Sequence, residues 1–218
     1  MATLTPTART RVRRRAERGV YERETIHAIL DEALVCHVGF ALDGEPFVLP
    51  MAYARVGDSL YVHGAAGSRM LRALRDGIPA CATVTLLDGL VLARSAFHHS
   101  MNYRSVVILG VAREVTDAAE RLAALEAIVE HMMRGRWDEV RPPTRPELAA
   151  TLILRLPIEE ASAKVRTGGP LDDAEDLAWP CWAGVVPLRL TPLAPIADGT
   201  PPEHAATPSW RPTPIPRD

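Results

Sequence analysis

Short apolar runs broken by Asp-Gly and Gly-Asp pairs set the rhythm of this chain from about residue 35 to residue 165. Residues 35–42 read as a strand closed by a turn at Asp43-Gly44. Residues 48–56 and 60–63 flank Gly57-Asp58. Glycine accepts a positive φ there and Asp bonds its own backbone, so the pair predicts a hairpin. Residues 80–87 form another β-rich run, which Asp88-Gly89 is expected to turn back into residues 90–93. Residues 104–115 are the longest β-branched stretch, with Gly110 marking a bulge or bend. Residues 151–156 and 161–165 supply the last strands.

Three segments carry helical spacing instead. Residues 24–32 place Ile26, Ile29, Leu30 and Ala33 on one face. After GAAGS, Ser68 is set to cap a helix whose Met70, Leu71 and Leu74 share a face. Thr116 or Asp117 starts a third helix, running from Ala118 to about Met133. Six or more short strands with hairpin turns and few helices predict a mainly β (α+β) antiparallel barrel. The lack of regular β-α-β alternation argues against a doubly wound parallel sheet.

Composition divides the chain into three. Residues 1–23 are a basic N-terminal arm, with Arg11, Arg13, Arg14, Arg15 and Arg18 among its seven arginines. Without interleaved aromatics it suits a solvated or dimer-packing arm better than a nucleic-acid contact. Residues 24–190 hold the folded domain, and residues 191–218 form a Pro-rich tail expected to be disordered. No eighteen-residue apolar run exists for a membrane span, and the arginines near Met1 are not followed by the apolar core of a secretory signal. The net charge of −2 gives no general attraction to nucleic acid or acidic membranes. Cys36, Cys81 and Cys181 are widely spaced and odd in number, which fits buried free thiols in a reducing cytoplasm.

The candidate chemistry begins at GAAGSR. A glycine-rich loop opening a helix presents free N–H groups, and Ser68 with Arg69 makes a small anion site suited to one phosphate. Helix capping alone also explains Ser68. His98 and His99 are neighbours, and adjacent residues of a strand point to opposite faces, so no metal site is expected from them. No G-x-S-x-G elbow is present, which sets aside a serine hydrolase.

Four segments then carry a resemblance: YERETIHAILDEALVCHVGF, PFVLPMAYARVGDSLYVHGAAGSRMLRAL, HHSMNYRSVVILGVAREV, and KVRTGGPLDD with WPCWAGVVPL. In this order the chain resembles the pyridoxamine 5′-phosphate oxidase-like FMN-binding split-barrel family, on its nitroimidazole-resistance-like branch. The resemblance implies a six-stranded antiparallel split barrel with flanking helices, a homodimer, and FMN between the two subunits. It places the flavin phosphate at Ser68 and Arg69, with Met70 where the oxidase has Lys and Arg72 one turn away as a substitute cation. The ring edge is implied along Val48, Leu49, Pro50 and Met51, and the phosphate and ribityl chain near Val62 and His63. Ser105 stands where the oxidase has a ring-contacting Gln. Trp182 matches the family's Trp that approaches the flavin from the partner subunit.

The oxidase follows that Trp with an R-L-H-x-R segment that grips substrate phosphate, whereas this chain reads VVPLRLTP with only Arg189 basic. Those missing charged hydrogen bonds are each worth roughly 1.5–3 kcal/mol, so pyridoxamine phosphate oxidation is not expected. The expectation is a cytoplasmic flavoprotein oxidoreductase, nitroreductase- or flavin-reductase-like, acting on a small-molecule acceptor. The alternative is a flavin- or haem-binding sensing module on the same fold, with His63 or His99 as haem ligand.

Overall fold

The computed structural model describes residues 2–199. These form ten strands and four α-helices. In chain order they are β1 (Gly19–Val20), α1 (Arg23–Glu32), β2 (Val35–Leu42), β3 (Glu45–Val56), β4 (Ser59–Ala65), α2 (Arg69–Arg75) and β5 (Pro79–Leu92). Next come β6 (Ser100–Val111), β7 (Arg113–Glu114), α3 (Ala118–Met132), α4 (Arg145–Ala149), β8 (Thr151–Pro157), β9 (Glu160–Arg166) and β10 (Gly184–Pro187). The antiparallel sheet runs β1-β9-β6-β5-β2-β3-β4-β8-β7, with β10 added to β5. The sheet thus has ten strands rather than six: seven longer strands, with β1, β7 and β10 as short additions.

Turn chemistry sets the hairpins. Asp43 (φ 54°) and Gly44 (φ 82°) both take positive φ, as a two-residue turn between Leu42 and Glu45 requires. β3 is the hinge of the sheet. Its first part, to Ala52, pairs with β2, and from Tyr53 onward it pairs with β4. The main core lies inside this bend, where Ile26, Ile29 and Leu30 of α1 meet Val38, Tyr53, Leu71, Leu74, Ile108 and Leu154. A smaller cluster joins Ala124 and Ile128 of α3 to Ala54, Tyr61 and Ile153 on the outer face of β3, β4 and β8.

Two β expectations are corrected. Asp88-Gly89 is no hairpin: β5 continues from Pro79 to Leu92 with a register shift against β6 between Leu87 and Gly89. The glycine is needed because β10 lies against it, a Cβ there meeting Val185 Cγ1 at 3.0 Å and Val186 O at 3.1 Å. The irregularity turns Asp88 toward Arg104, whose guanidinium also binds Glu32 at the end of α1. Gly110 is no bulge either, pairing in regular register with Ala80. Its missing Cβ admits Leu156 of β8 instead, at 3.0 Å.

The third helix begins as expected, with Asp117 Oδ1 accepting the Glu120 N–H at 2.8 Å. Residues 2–22 lie on the sheet: Leu4 is buried, β1 pairs with β9, and Arg9 and Thr7 bond Glu160. Of the cysteines only Cys36 is buried. Cys81 is half-buried and Cys181 exposed, so the expectation of uniformly buried thiols fails at Cys181. Residues 191–198 carry no helix or strand, and the rest of the Pro-rich tail lies outside the described residues.

Candidate functional site

β4 delivers the chain to α2 across a tight approach, since a Cβ on Gly64 would lie 2.9 Å from Leu71 Cδ1. The loop closes with Ser68 N–H on Ala65 O, and Ser68 Oγ accepts the Leu71 N–H at 3.4 Å. Ser68 is therefore a cap, as its position predicts. Arg69, the first residue of α2, is exposed and lays its guanidinium 4.9 Å from the Phe47 ring centroid. Phe47 itself stacks on Phe40 at 5.4 Å. Arg69 has no carboxylate partner among the described residues. Arg72 is spent on the Gly67 carbonyl at 2.7 Å. Met70 points into the core at 7% exposure, so the position implied to face a phosphate is a packing residue in this protein.

Beside Arg69 runs the first half of β3. Among the described residues, its edge away from β2 has no ladder partner before Tyr53, which leaves backbone N–H and C=O groups open. Val48 (65% exposed), Leu49 and Pro50 are exposed there, while Met51 packs against the core. On β4, Val62 is buried in the core. His63 is half-buried, its Nδ1 is buried without a partner, and desolvation lowers its pKa from 6.5, favouring the neutral imidazole. Along β3, Phe47, Leu49 and Met51 face the side that carries Arg69, while Val48 and Pro50 alternate to the other face.

Ser105 and Trp182 do not join the side carrying Arg69 within one chain. Ser105 sits on β6, separated from β3 by β5 and β2, a lateral distance of roughly 14 Å at sheet spacing. Its hydroxyl donates to Lys164 O at 3.4 Å. Trp182 is exposed and folds over Gly184, where a Cβ would lie 2.8 Å from the ring. It marks a second region, where β5, β6 and β10 end.

His98 and His99 lie there, in and just after a 3-10 turn rather than within a strand. His98 Nε2 is 3.0 Å from Asp173 Oδ2, and Arg94 holds the adjacent Asp172 at 2.7 Å. His99 Nδ1 is 2.9 Å from the Ser95 carbonyl oxygen. Sequence reasoning missed Arg166, a nearly buried guanidinium on β9. It bonds Asn102 Oδ1 and the Gly168 and Gly169 carbonyls without a carboxylate partner among the described residues. The TGG that follows it was the available signal, since such a loop exposes carbonyls.

An antiparallel sheet hinged at one strand, with a short helix opened by a glycine-rich loop at the hinge, is the architecture of a split-barrel protein of the pyridoxamine phosphate oxidase type. A family model described as pyridoxamine 5′-phosphate oxidase matches residues 22–165, and the chain belongs to that family. It is similar to the flavocytochrome Anf3 from Azotobacter vinelandii, at 43% identity and TM-score 0.87, covering 94% of this chain and 95% of that one. It is also similar to an FAD- and haem-binding protein from Mycobacterium smegmatis, at 40% identity and TM-score 0.83, over 88% and 94% of the two chains. A candidate 5-nitroimidazole antibiotic resistance protein from Bacteroides thetaiotaomicron shares the fold at 24% identity and TM-score 0.56, over 67% of this chain and 86% of that one. No curated protein matches the chain. No helix among the described residues is long and apolar enough to cross a membrane.

Proposed function

We propose that this protein binds a flavin against β3, β4 and the start of α2, binds a haem as well, and works as a redox protein on a small acceptor. The observation that carries the flavin site is Arg69, a cation held on an aromatic ring and lacking a carboxylate partner among the described residues, near an exposed strand edge with open backbone groups. A phosphate would supply the negative charge that Arg69 lacks, and a flat apolar ring would lie over Leu49 on the face that carries Arg69. These residues fit a flavin. The names of the Azotobacter and Mycobacterium relatives support haem beside it, and the latter supports FAD over the FMN implied by the family resemblance.

When bound, the flavin supplies hydride or electron transfer and the haem iron one-electron exchange. Arg69 anchors the phosphate, the open β3 edge offers N–H and C=O groups to the ring's polar edge, and neutral His63 presents an imidazole without added charge. A second copy of the chain would cover the same exposed edge and bring its Trp182 toward it, which makes a homodimer part of the proposal. The test is an absorbance spectrum of the purified protein before and after flavin and haemin addition with desalting, and sizing in solution. Retained flavin and Soret bands support the proposal, and acid release with mass measurement identifies FMN or FAD. A protein that stays colourless after both additions refutes it. Retained cofactors with no reduction of any small acceptor leave a sensing or binding module.

A further inference from the structure

Away from Arg69 the sheet opens a second concave surface. β6 and β8 are not ladder neighbours, and a cleft of about 500 Å³ lies where the end of β6, the start of β7, the end of β8 and the turn into β9 meet. Small-ligand pockets run from roughly 300 to 1,000 Å³. Leu109, Gly110, Val111 and Pro157 supply the apolar lining, and Arg113, Arg155, Glu159 and Glu160 the charged lining.

The strand pattern brings these groups together. Arg155 and Pro157 are two apart on β8 and share a face, while buried Leu156 between them fills the space left by the bare Cα of Gly110. On the β9 side of β6 the last rung joins Leu109 to Glu160, whereas β5 pairs on through Val111. Among the described residues, Gly110 and Val111 therefore keep one backbone edge without a ladder partner, beside the cleft they line. An open strand edge accepts an extended peptide backbone.

The charges of the cleft are answered unequally. Arg113 stands directly opposite Arg155, a like-charge juxtaposition that disfavours strand pairing. Arg155 donates to Glu120 at 3.0 Å, a carboxylate that also accepts the Tyr61 hydroxyl at 2.9 Å. Arg113 is exposed and has no hydrogen-bond or ion-pair partner among the described residues. Glu160 is taken by Arg9 and Thr7, but Glu159 is exposed and has no such partner either. One unanswered cation and one unanswered anion thus line a single cleft. Four residues of chain separate Arg155 from Glu159, at most about 14 Å. An extended tripeptide spans about 10 Å and carries one charge of each sign at its ends.

We propose that this cleft binds a short zwitterionic peptide, with its carboxylate on Arg113, its ammonium group at Glu159 and its backbone along the open edge of β6. A guanidinium takes a carboxylate through two parallel N–H donors, and that contact also relieves the repulsion between Arg113 and Arg155. The peptide's side chains rest on Leu109, Val111 and Pro157. The cleft shares no residue with the surface that carries Arg69, so it stands apart from the flavin and haem reading.

The test is an NMR titration of the isotope-labelled full-length protein with trialanine, and separately with N-acetyl-trialanine and inorganic phosphate. Saturable shifts of the Gly110, Val111 and Arg113 backbone amides are expected with trialanine. Arg113→Met should weaken trialanine about threefold to fivefold, the scale of an exposed ion pair. Glu159→Gln should weaken trialanine to a similar degree and leave the weaker N-acetyl-trialanine unchanged, because acetylation has already removed the ammonium group. Both side chains are exposed, so the variants should melt like the wild type. The absence of a saturable shift at Gly110 and Val111 overturns the proposal, as does a trialanine affinity untouched by Arg113→Met. Phosphate binding as tightly as trialanine, with Glu159→Gln without effect on trialanine, reduces the cleft to an anion site and overturns the peptide assignment.

Discussion

Arg69→Met removes a charge and little else. Methionine has similar length, and Arg69 is exposed, held to the protein by its contact with Phe47 at 4.9 Å. An exposed cation–π contact is worth roughly 0.5–1 kcal/mol, so the midpoint of urea unfolding should move only slightly. Flavin binding is different. Charged hydrogen bonds to a phosphate contribute about 1.5–3 kcal/mol, which is a factor of roughly 10 to 150 in Kd at 1.4 kcal/mol per tenfold. Arg72 cannot substitute without giving up the Gly67 carbonyl. Arg69→Lys keeps the charge but loses the planar fork, so it should fall between. The assay is quenching of flavin fluorescence on titration into the apoprotein, beside urea curves of each variant without ligand. A Kd for Arg69→Met within about twofold of wild type, where a single charged contact would give at least tenfold, would show that the phosphate lies elsewhere.

Other consequences follow from burial and close approach. Gly64→Val drives a side chain into Leu71, so α2 shifts from β4: a loss of about 1–3 kcal/mol in denaturant unfolding is expected, with weaker flavin retention. The Cys36 thiol is pushed up to about 12 by burial, so a thiol reagent at mildly alkaline pH should label exposed Cys181 first, Cys81 slowly and Cys36 only on unfolding. Cys181→Ser should abolish the fast phase, and a fast phase that survives would contradict that assignment. His27 and His63 are both held below 6.5, chiefly by desolvation, so folding favours their neutral forms. Their contribution is present above pH 6.5 and is lost as pH falls through that value toward the folded pKa. His63→Gln should therefore flatten the acid side of the stability–pH profile, and a profile as steep as wild type's would contradict the burial argument.

The fold was legible where local chemistry and tertiary demand agree. Ser68 and Asp117 cap helices as their side chains allow, and Asp43-Gly44 turns because both residues accept positive φ. Asp88-Gly89 carries the same dipeptide signal and misleads. The glycine there answers to the close approach of β10, nearly a hundred residues later, and Asp88 to Arg104 and Glu32. A local reading weighs the turn preference of two residues and has no access to either partner. Gly110 is the same case, its bare Cα admitting Leu156 across the gap between β6 and β8. The short margins β1, β7 and β10 escaped notice because two to four residues cannot display a period.

The candidate site residues were gathered from the sequence for a related reason. Ser68, Arg69 and the β3 edge lie within one stretch of chain, so an ordered motif could point to all of them together. Met70 shows the limit of motif transfer: the helix that aims Arg69 outward at Phe47 must turn the next side chain inward, and at 7% exposure that side chain belongs to the core. A cation at that position would have to be buried or drag α2 out of its packing. The hinge of β3 leaves the outer edge of its first half unpaired near Arg69, while the segments of His99 and Trp182 meet the end of β5 through the β5–β6 and β5–β10 ladders. Sequence order keeps Trp182 more than eighty residues from His99, and only the pairing of both segments with β5 brings them to one end of the sheet. Each surface leaves large apolar side chains in water, Val48 and Leu49 at one and Phe97 and Trp182 at the other. Exposed apolar area is disfavoured in water by about 25 cal/mol per Å², so on the proposed reading a ligand whose phosphate meets the Arg69 guanidinium would also remove the neighbouring Leu49 from water.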